Sequence, residues 1–582
     1  MKKITSLMAL ALMAGAAANA QTAGDLLSKQ LESRPSFPFT QQNSTLADRL
    51  SEVFQNEAAR NAAPTLAAPT PVTTEAVMET PEGTLFANQS MSSYWFYSYY
   101  NYLFNGNNYA KLTDYVLADD GTIWLHCPIS QYQTGYLKLE KQEDGTYVAH
   151  TPQAILDFSY GDSQLMYYAT RVTLQDRGEG VYYYLETKDD GSYDLDIHFT
   201  FEDGVLRQVN DAIEPSRQIP IEMIGLCTDA GKWYGYGDGC VVVSPVNETA
   251  TTLPEGAETK QYLMVDNDVT PMQGTLEERP MVIDVAEVGN DVYLEAQGVD
   301  NMWIKGTKGE DGSITIPSQY LGINELTSTH VWFKPANYSI GHNDIDYDEP
   351  YFYTYTLADE DFTLAPTEDG GYTTSGTNTM LVNAANEQVS AVDSRVIPTL
   401  TPFTEVAATP AAPTFTAYSE FNPSTYDGYF AFDLESKDTE GNYINPAKLS
   451  YSVFYNGSDE PYTFSPTLYI GVDERTQELP YLFTDHYDFY ARNKSHIVYF
   501  FFSDVDKIGL QSIYRGAGEE HRSDIVWFDA KGYLTGINGV ENANSTEAVA
   551  YYDIQGRQLK QLQRGMNIVR MADGSVRKVM QK

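Results

Sequence analysis

The residues of this 582-residue chain that could do chemistry do not gather into a reactive set. Eight histidines, His126, His150, His198, His330, His342, His486, His496 and His521, form no HExxH pair and no close cluster with cysteine. The donor spacing of a zinc hydrolase is therefore missing. Ser163, in Gly161-Asp162-Ser163-Gln164-Leu165, lacks the second glycine of a nucleophile elbow, and no glycine-rich loop is suited to cradling phosphate. Glycosidases place two carboxylates about 5 to 10 Å apart across the scissile bond; among 80 acidic residues, spacing singles out no pair. Catalytic residues are accordingly expected to be none.

Three weaker constellations remain. In His342-Asn343-Asp344-Ile345-Asp346-Tyr347-Asp348-Glu349, the carboxylates of Asp344, Asp346 and Asp348 could face one side of a loop, and hard Ca²⁺ takes carboxylate oxygen. Glu349 stands where an EF-hand loop needs glycine, and Tyr355 where it needs a bidentate glutamate, so the expectation is weak Ca²⁺ binding or a solvated acidic loop. No other cofactor is indicated. Cys227 and Cys240 could close a disulfide across a hairpin, leaving Cys127 unpaired, or all three thiols could simply pack. The run from Tyr94 to Phe104 is aromatic on both strand faces. Tyr94, Trp95, Tyr97, Tyr99 and Tyr100 would serve as a stacking platform for sugar rings, or the strand is buried on both sides.

The elements that must carry these residues are strands. Residues 114–156 and 283–321 repeat one plan: Thr122-Ile123-Trp124-Leu125 aligns with Asp291-Val292-Tyr293-Leu294, Tyr136-Leu137-Lys138 with Trp303-Ile304-Lys305, and Asp144-Gly145 with Asp311-Gly312. Both copies then reach a proline, Pro152 or Pro317, with a glutamine close behind. Each reads as a meander around an Asp-Gly turn, because glycine adopts positive φ without a Cβ clash. Trp124 should therefore occupy the place of Tyr293, and Tyr136 that of Trp303. Tyr193, Leu195, Ile197, Phe199 and Phe201 alternate with polar residues as a half-buried strand does. From about 411 to 535 the alternation is cleaner, with core faces expected at Phe430, Phe432, Leu434; Leu449, Tyr451, Val453, Tyr455; and Ile497, Tyr499, Phe501.

Length implies several folded units, and 44 Tyr with 42 Gly and 27 Pro is the usage of strands and turns. The division expected is a signal peptide at 1–20, a helical and linker segment at 21–80, β-meander domains at 81–270 and 271–410, a sandwich at 411–535 and a short β module at 536–582. The fold class is all-β. Lys2 and Lys3, the apolar run Ile4 to Ala18 and Ala18-Asn19-Ala20 form the secretory leader, so the chain is expected outside the cell. No later run is long and apolar enough for a helical membrane span. The formal net charge of −43 excludes nucleic acid as an expected partner, since phosphate must be met by clustered Lys and Arg. The last residues invert that charge, with Arg557, Lys560, Arg564, Arg570, Arg577, Lys578 and Lys582 against Asp553 and Asp573.

Three resemblances follow from these stretches. The tail Tyr552-Asp553-Ile554-Gln555-Gly556-Arg557-Gln558-Leu559, with Gly565-Met566-Asn567-Ile568-Val569 and Gly574-Ser575-Val576-Arg577-Lys578-Val579, resembles the C-terminal sorting domains of the type IX secretion system of Bacteroidota. That likeness implies recognition by outer-membrane secretion machinery through Asp553, Gly556, Arg557 and Gly565. Residues 411–535 look like a fibronectin type III-like or other immunoglobulin-like sandwich, with Phe432 where the former usually has tryptophan. The repeated units, LCTDAGKWYGYGD and LPYLFTDHYDFY make the whole chain similar to multidomain secreted β proteins of gut Bacteroidota, a resemblance that implies no activity. The functional expectation is a secreted or cell-surface, non-catalytic protein presenting β modules for adhesion or for glycan or protein binding, with a carbohydrate-active hydrolase or a structural matrix component as alternatives.

Overall fold

The structure, a computed structural model, describes residues 68–530 apart from 100–101, 161–162, 177–180, 216–217, 229–232, 297–300, 344–349, 470 and 486, together with the backbone of short strands between 548 and 581. These residues are all-β. They fall into two compact units, one spanning 31–405 and the other containing 406 onward.

The larger unit opens with β1 (Thr84–Tyr99), β2 (Tyr102–Leu117), β3 (Ile123–His126), β4 (Tyr136–Lys141), β5 (Tyr147–His150), β6 (Gln153–Tyr160), β7 (Ser163–Asp176), β8 (Val181–Tyr184), β9 (Asp196–Glu202), β10 (Val205–Gln208), the small β11 (Ile213–Glu214) and β12 (Ile219–Pro220), β13 (Glu222–Thr228) and β14 (Trp233–Ser244). Strands β1-β2-β3-β4-β5-β9-β10-β14 pair antiparallel in that order, and β14 returns to β1. The ring is an eight-stranded closed barrel, which leaves no free edge. A second layer springs from it: β6 and β8 share one edge of the long β7, and β13 on its other edge joins β14.

Everything then happens again. The strands β15 (Thr259–Val269), β16 (Leu276–Val288), β17 (Asp291–Glu295), β18 (Trp303–Lys308), β19 (Ile314–Ile316), β20 (Gln319–Asn324), β21 (Thr329–His342), β22 (Tyr351–Leu357), β23 (Phe362–Pro366), β24 (Tyr372–Thr373), β25 (Asn378–Asn383) and β26 (Ala391–Pro402) repeat each of those pairings in the same sequence order. Only the β11–β12 hairpin has no counterpart among the described residues. The division expected at 270/271 is corrected by this correspondence. β15 is the partner of β1, so the second copy begins at Thr259, and Pro271 to Gly274 belong to the turn where Thr270 N–H donates to Thr275 O. Nor are the two copies separate bodies, because Lys111 of β2 pairs with Thr329 of β21.

The aligned residues superpose in register. Trp124 lies opposite Lys138 and Tyr293 opposite Lys305, with each ammonium over its ring at 5.9 and 5.8 Å. Tyr136 and Trp303 both open the fourth strand of their copy. Asp144 accepts from Thr146 N–H and Oγ1, and Asp311 accepts from Ser313 N–H and Oγ. Gly145 and Gly312 follow at φ 88° and 82°, the left-handed residue that lets a type I turn rejoin its hairpin.

The glutamines behind the prolines do more than punctuate. Gln153 Oε1 accepts from Lys138 N–H (2.9 Å) while its Nε2 donates to Lys138 O (2.9 Å); Gln319 does the same to Lys305, at 2.8 Å both ways. One side-chain amide thus stands in for a missing strand and fastens the second layer to the barrel wall. Met91 and Met264, 1% and 2% exposed, sit at matching positions inside the two barrels.

In the other unit, β27 (Thr414–Asn422), β28 (Asp427–Asp433), β29 (Leu449–Tyr455), β30 (Leu479–Pro480), β31 (Phe489–Arg492), β32 (Ser495–Phe500), β33 (Lys507–Gly516), β34 (Glu519–Arg522) and β35 (Val526–Asp529) make two sheets, β27-β28-β32-β31 and β30-β29-β33 with β34 and β35 along β33. The core between them holds Phe430, Phe432, Leu434, Tyr451, Val453 and Leu510. One expectation is corrected: β32 turns Val498 and Phe500 to that core rather than Ile497 and Tyr499, while Phe501, just past the strand, packs against it. Every residue from His496 to Phe500 is buried, so alternation carried no phase there, and a one-residue slip exchanges the faces. Beyond the sandwich, β36 (Ala548–Asp553), β37 (Gln558–Leu559), β38 (Gly565–Met571) and β39 (Val576–Gln581) form a sheet of their own, ordered β37-β36-β38-β39.

If the glutamine amide is the fastener, Gln153→Ala or Gln319→Ala should each destabilise the 31–405 unit by about 2–3 kcal/mol, since two buried backbone groups lose their partner. The exposed Glu143→Ala serves as a control expected within about 0.5 kcal/mol. Denaturant unfolding measures both; a glutamine variant as mild as the control would remove the fastening role.

Candidate functional site

Of the residues that the sequence offered for chemistry, few come together. Asp344, Asp346 and Asp348 lie outside the described residues, as do Tyr100, Gly556 and Arg557, while Asp553 ends β36 and Gly565 opens β38. Among the described residues no group of three His, Cys, Asp or Glu side chains is arranged to hold a metal ion. The disulfide is corrected. Register places Cys227 opposite Trp233, so Cys240 lies seven residues farther along β14, roughly 23 Å at about 3.3 Å per residue. A disulfide tolerates a Cα separation of about 7 Å at most. Cys227 instead packs with Phe96, Val172 and Met223, and burial pushes its thiol up to about 12.

Successive residues of β1 face opposite sides, so Tyr94 and Trp95 do not share a surface, and the side chains of Tyr97 and Tyr99 lie outside those described. β1 is hydrogen-bonded on both edges here, to Gly106 of β2 and Asp238 of β14 at Trp95. Trp95 and Tyr94 are half-buried, Phe96 is core, and a Cβ on Gly106 would come within 2.7 Å of the Trp95 ring.

The structure opens a different site at the first barrel. A polar cleft of about 220 Å³ is bounded by Asn88 and Met91 of β1, Lys111 to Asp114 of β2, His126 of β3, the 127–133 part of the β3–β4 connection, and Ser328 from the turn before β21. Each wall has a local cause. Asn88 adopts φ 54° at an irregularity in β1, where its N–H donates to Asp114 Oδ1 (2.8 Å). Cys127, at φ 46°, turns the chain out of β3, and its thiol donates to Thr134 O. The connection then reaches across to β14, where Ser130 N–H donates to Asp238 Oδ2 (2.8 Å) and the Tyr132 ring meets Tyr236 edge-on at 4.8 Å. From the second barrel, Ser328 O accepts from Leu112 N–H and Thr327 O accepts from Lys111 Nζ (3.0 Å). His330 Nε2 lies 3.0 Å from Asn88 O while its Nδ1 meets the Tyr320 hydroxyl at 2.7 Å. A carbonyl can only accept, so the proton sits on Nε2 and the tyrosine donates to Nδ1. Both barrels therefore build this site.

The electrostatics are unusual for so acidic a chain. Burial pushes the Lys111 ammonium below its ordinary pKa, despite the opposing pull of Cys127 and Asp238. Among the described residues no carboxylate reaches ion-pairing distance of it. His126 stacks on Tyr136 at 4.7 Å, stands 3.8 Å from Asp114 Oδ2, and is held below the usual histidine range by burial. Burial also raises the Cys127 thiol, which leaves it a poor nucleophile. Under the cleft, the fully buried Asp238 accepts from Ser93 Oγ (2.6 Å) and Ser130 N–H, and burial lifts its carboxyl to about 6.

The second barrel shows what the scaffold looks like without a cleft. Register makes Lys111 the counterpart of Met281, Asn108 of Arg279, Ser93 of Asp266 and Asp238 of Arg395. There Arg279 Nε donates to Asp266 Oδ1 (3.0 Å), with Arg395 at 3.8 Å, so an ion cluster fills the positions of Asn108, Ser93 and Asp238. Identical turns and clamps thus carry two different interiors. The sequence held one signal of this: a lysine in β2 aligned with a methionine in β16, visible once the repeat was extended with its one-residue bulge. Compared with protein-family models and with curated proteins, the chain matches none.

A carboxyl whose folded pKa exceeds its unfolded value of about 3.9 contributes stability below that value and loses it as pH rises through about 6. Relative to Asp238→Asn, the native protein should therefore gain on the order of 2 kcal/mol between pH 7 and pH 4. Paired unfolding curves of the two proteins measure the difference; parallel pH profiles would show that Asp238 does not titrate in that window.

Proposed function

We propose that this chain is an exported, non-catalytic binding protein whose first barrel holds the ligand in the cleft around Lys111, with a glycan as the ligand class. One observation carries the reading: two copies of one scaffold agree in strand order, turns and clamps, yet at matching positions one holds an arginine–aspartate cluster, whereas the other has a polar cleft lined by side chains from four separate segments. Scaffold needs alone give no reason for the difference. The lining favours a hydroxyl-rich ligand, since the hydroxyls of Thr113, Ser130 and Tyr132, which donate to His126 O, Asp238 and Tyr236, keep lone pairs to accept from a ligand's hydroxyls, and Gln133 and Ser328 add an amide and a further hydroxyl, whereas Met91 and Leu112 are its aliphatic members. Hydrolysis has less support here. Asp114 is engaged by Asn88 and His126, and Asp238 by Ser93 and Ser130, so no pair of free carboxylates faces the cleft among the described residues.

Export rests on the leader at residues 1–20, and delivery to the surface on the likeness of the tail to type IX sorting domains. The separate four-stranded sheet β36–β39 supports a tail module distinct from the sandwich sheets. The 406–530 strands suit an immunoglobulin-like presenting module: taking β27, β28, β29, β31, β32, β33 and β34/β35 as A to G with β30 as C′, the order is A-B-E-D facing C′-C-F-G. A fibronectin type III-like sandwich shares the A-B-E and C′-C-F-G parts, and the added β31 edge favours the constant-type arrangement.

Two experiments test this. The mature protein, screened on a glycan array, should bind a defined subset, and Gln133→Trp, which fills the cleft from its exposed rim, should weaken that binding at least about tenfold without moving the thermal midpoint. Binding unchanged in the variant would remove the cleft from the site, and release of reducing sugar would replace the reading by a hydrolase. Separately, deleting Ala550–Lys582 should leave a folded protein in the periplasm; a truncated chain that still reaches the medium would end the sorting role.

A further inference from the structure

Lys111 stands where the second barrel has Met281, so the scaffold itself does not require a charge at that position. An ammonium has three N–H donors, and partial burial strips some of its water, so an acceptor brought to it gains more than it would in bulk solvent. Here the protein supplies one acceptor, the carbonyl of Thr327, while the ammonium lines the cleft. The nearby carboxylates are occupied. Asp114 accepts from Asn88 N–H and faces His126, and Asp238 spends its oxygens on Ser93 and Ser130. Burial lowers the affinity of Lys111 for its proton, a cost that an anion entering the cleft would offset. A second feature limits what that anion can be. With 80 acidic against 37 basic residues, the chain repels extended polyanions at long range, so a ligand bearing one negative charge on an otherwise neutral body is favoured.

We propose that the cleft recognises a single carboxylate-bearing sugar, a uronic acid residue at the end of an otherwise neutral glycan, with Lys111 donating to the carboxylate and the hydroxyl oxygens of Ser130, Tyr132 and Ser328 accepting from the ring hydroxyls. The assignment rests on the reading of the cleft as a glycan site and names the group that site selects. Ser130 and Tyr132 already donate to Asp238 and Tyr236, so they face the cleft as neutral acceptors suited to sugar hydroxyls, and the scarcity of aliphatic lining speaks against an acidic peptide, whose backbone and side chains would need apolar contact.

Titration calorimetry of the mature protein with three probes tests the assignment: an oligosaccharide ending in glucuronic acid, the same oligosaccharide ending in glucose, and acetate as a bare carboxylate. The acidic oligosaccharide should bind about ten- to a hundredfold tighter than the neutral one, the worth of one charge-assisted hydrogen-bonded contact, and acetate should bind far more weakly than either. Lys111→Met, which copies the second barrel, should erase the preference while leaving residual affinity equal to that for the neutral sugar; Lys111→Gln provides the same comparison if the methionine variant misfolds. Equal affinity for the two oligosaccharides, or a preference that survives both substitutions, overturns the carboxylate assignment and leaves the glycan reading standing. An acidic peptide that binds in place of the sugars, in a Lys111-dependent way, overturns the sugar and keeps the charge. Failure of every probe, with an empty glycan array, defeats the binding function itself and this inference with it.

Discussion

The architecture of the 31–405 unit depends on a side chain doing the work of a strand. Each repeat has one closed ring and one outer layer, and strand pairing joins the two along one edge, through β13 to β14 or β25 to β26, with one added backbone bond in the first copy from Gly135 N–H to Ile155 O. A layer held along one edge would swing. Gln153 and Gln319 fix the opposite edge by giving the backbone of Lys138 and Lys305 both a donor and an acceptor, as a neighbouring strand would. Primary amides suit this task because they alone among uncharged side chains offer both groups in one plane. Closure of the ring and clamping of the layer together leave few exposed edges, which helps a chain rich in tyrosine and valine avoid strand addition by its neighbours.

Repetition of that scaffold separates what the fold needs from what it merely permits. Buried Met91 and Met264, the lysines over aromatic rings, the Asp-Gly turns and the glutamine clamps recur, and each has a structural cause. At the far end of the barrels the copies part. The second fills its interior with Arg279, Arg395 and Asp266, and Asp393 on Arg395 brings the charges into balance; the first replaces that cluster with Ser93, Asn108 and Asp238 and admits solvent beside Lys111. Buried charge is costly unless paired, so the second interior carries its ions in pairs while Lys111, held by one carbonyl, stands where solvent reaches it.

The join between the barrels matters for the same reason. His330 and Tyr320, from the second copy, hold Asn88 of the first, and the turn at Thr327 and Ser328 completes the cleft wall. The second barrel is therefore no idle duplicate. It is the support against which the first presents its site, and its own interior can be closed because its outer turn carries the contribution.

Local chemistry in the sequence determined a good deal. An Asp-Gly pair fixes a turn through φ, an aromatic opposite a lysine fixes a cross-strand pair, and these signals aligned Trp124 with Tyr293 and Tyr136 with Trp303 in the register that the strands adopt. The all-β class and the half-buried strand through Ile197 and Phe199 were legible for the same reason, since period-two alternation marks a strand with one wet face. Where both faces are buried, as in β32, that signal vanishes, and the choice of Val498 over Ile497 for the core was left to packing. Cys227 and Cys240 looked close because sequence distance is read as if a hairpin turned midway between them, whereas the register of β13 on β14 sets them far apart. Closure of eight strands and the meeting of Asn88, Lys111, His126, Ser130 and Ser328 belong to tertiary structure alone. Hydrogen bonds between strands say nothing in the sequence about which strand lies next, so residues up to 240 positions apart become neighbours only when the ring shuts and the second barrel docks.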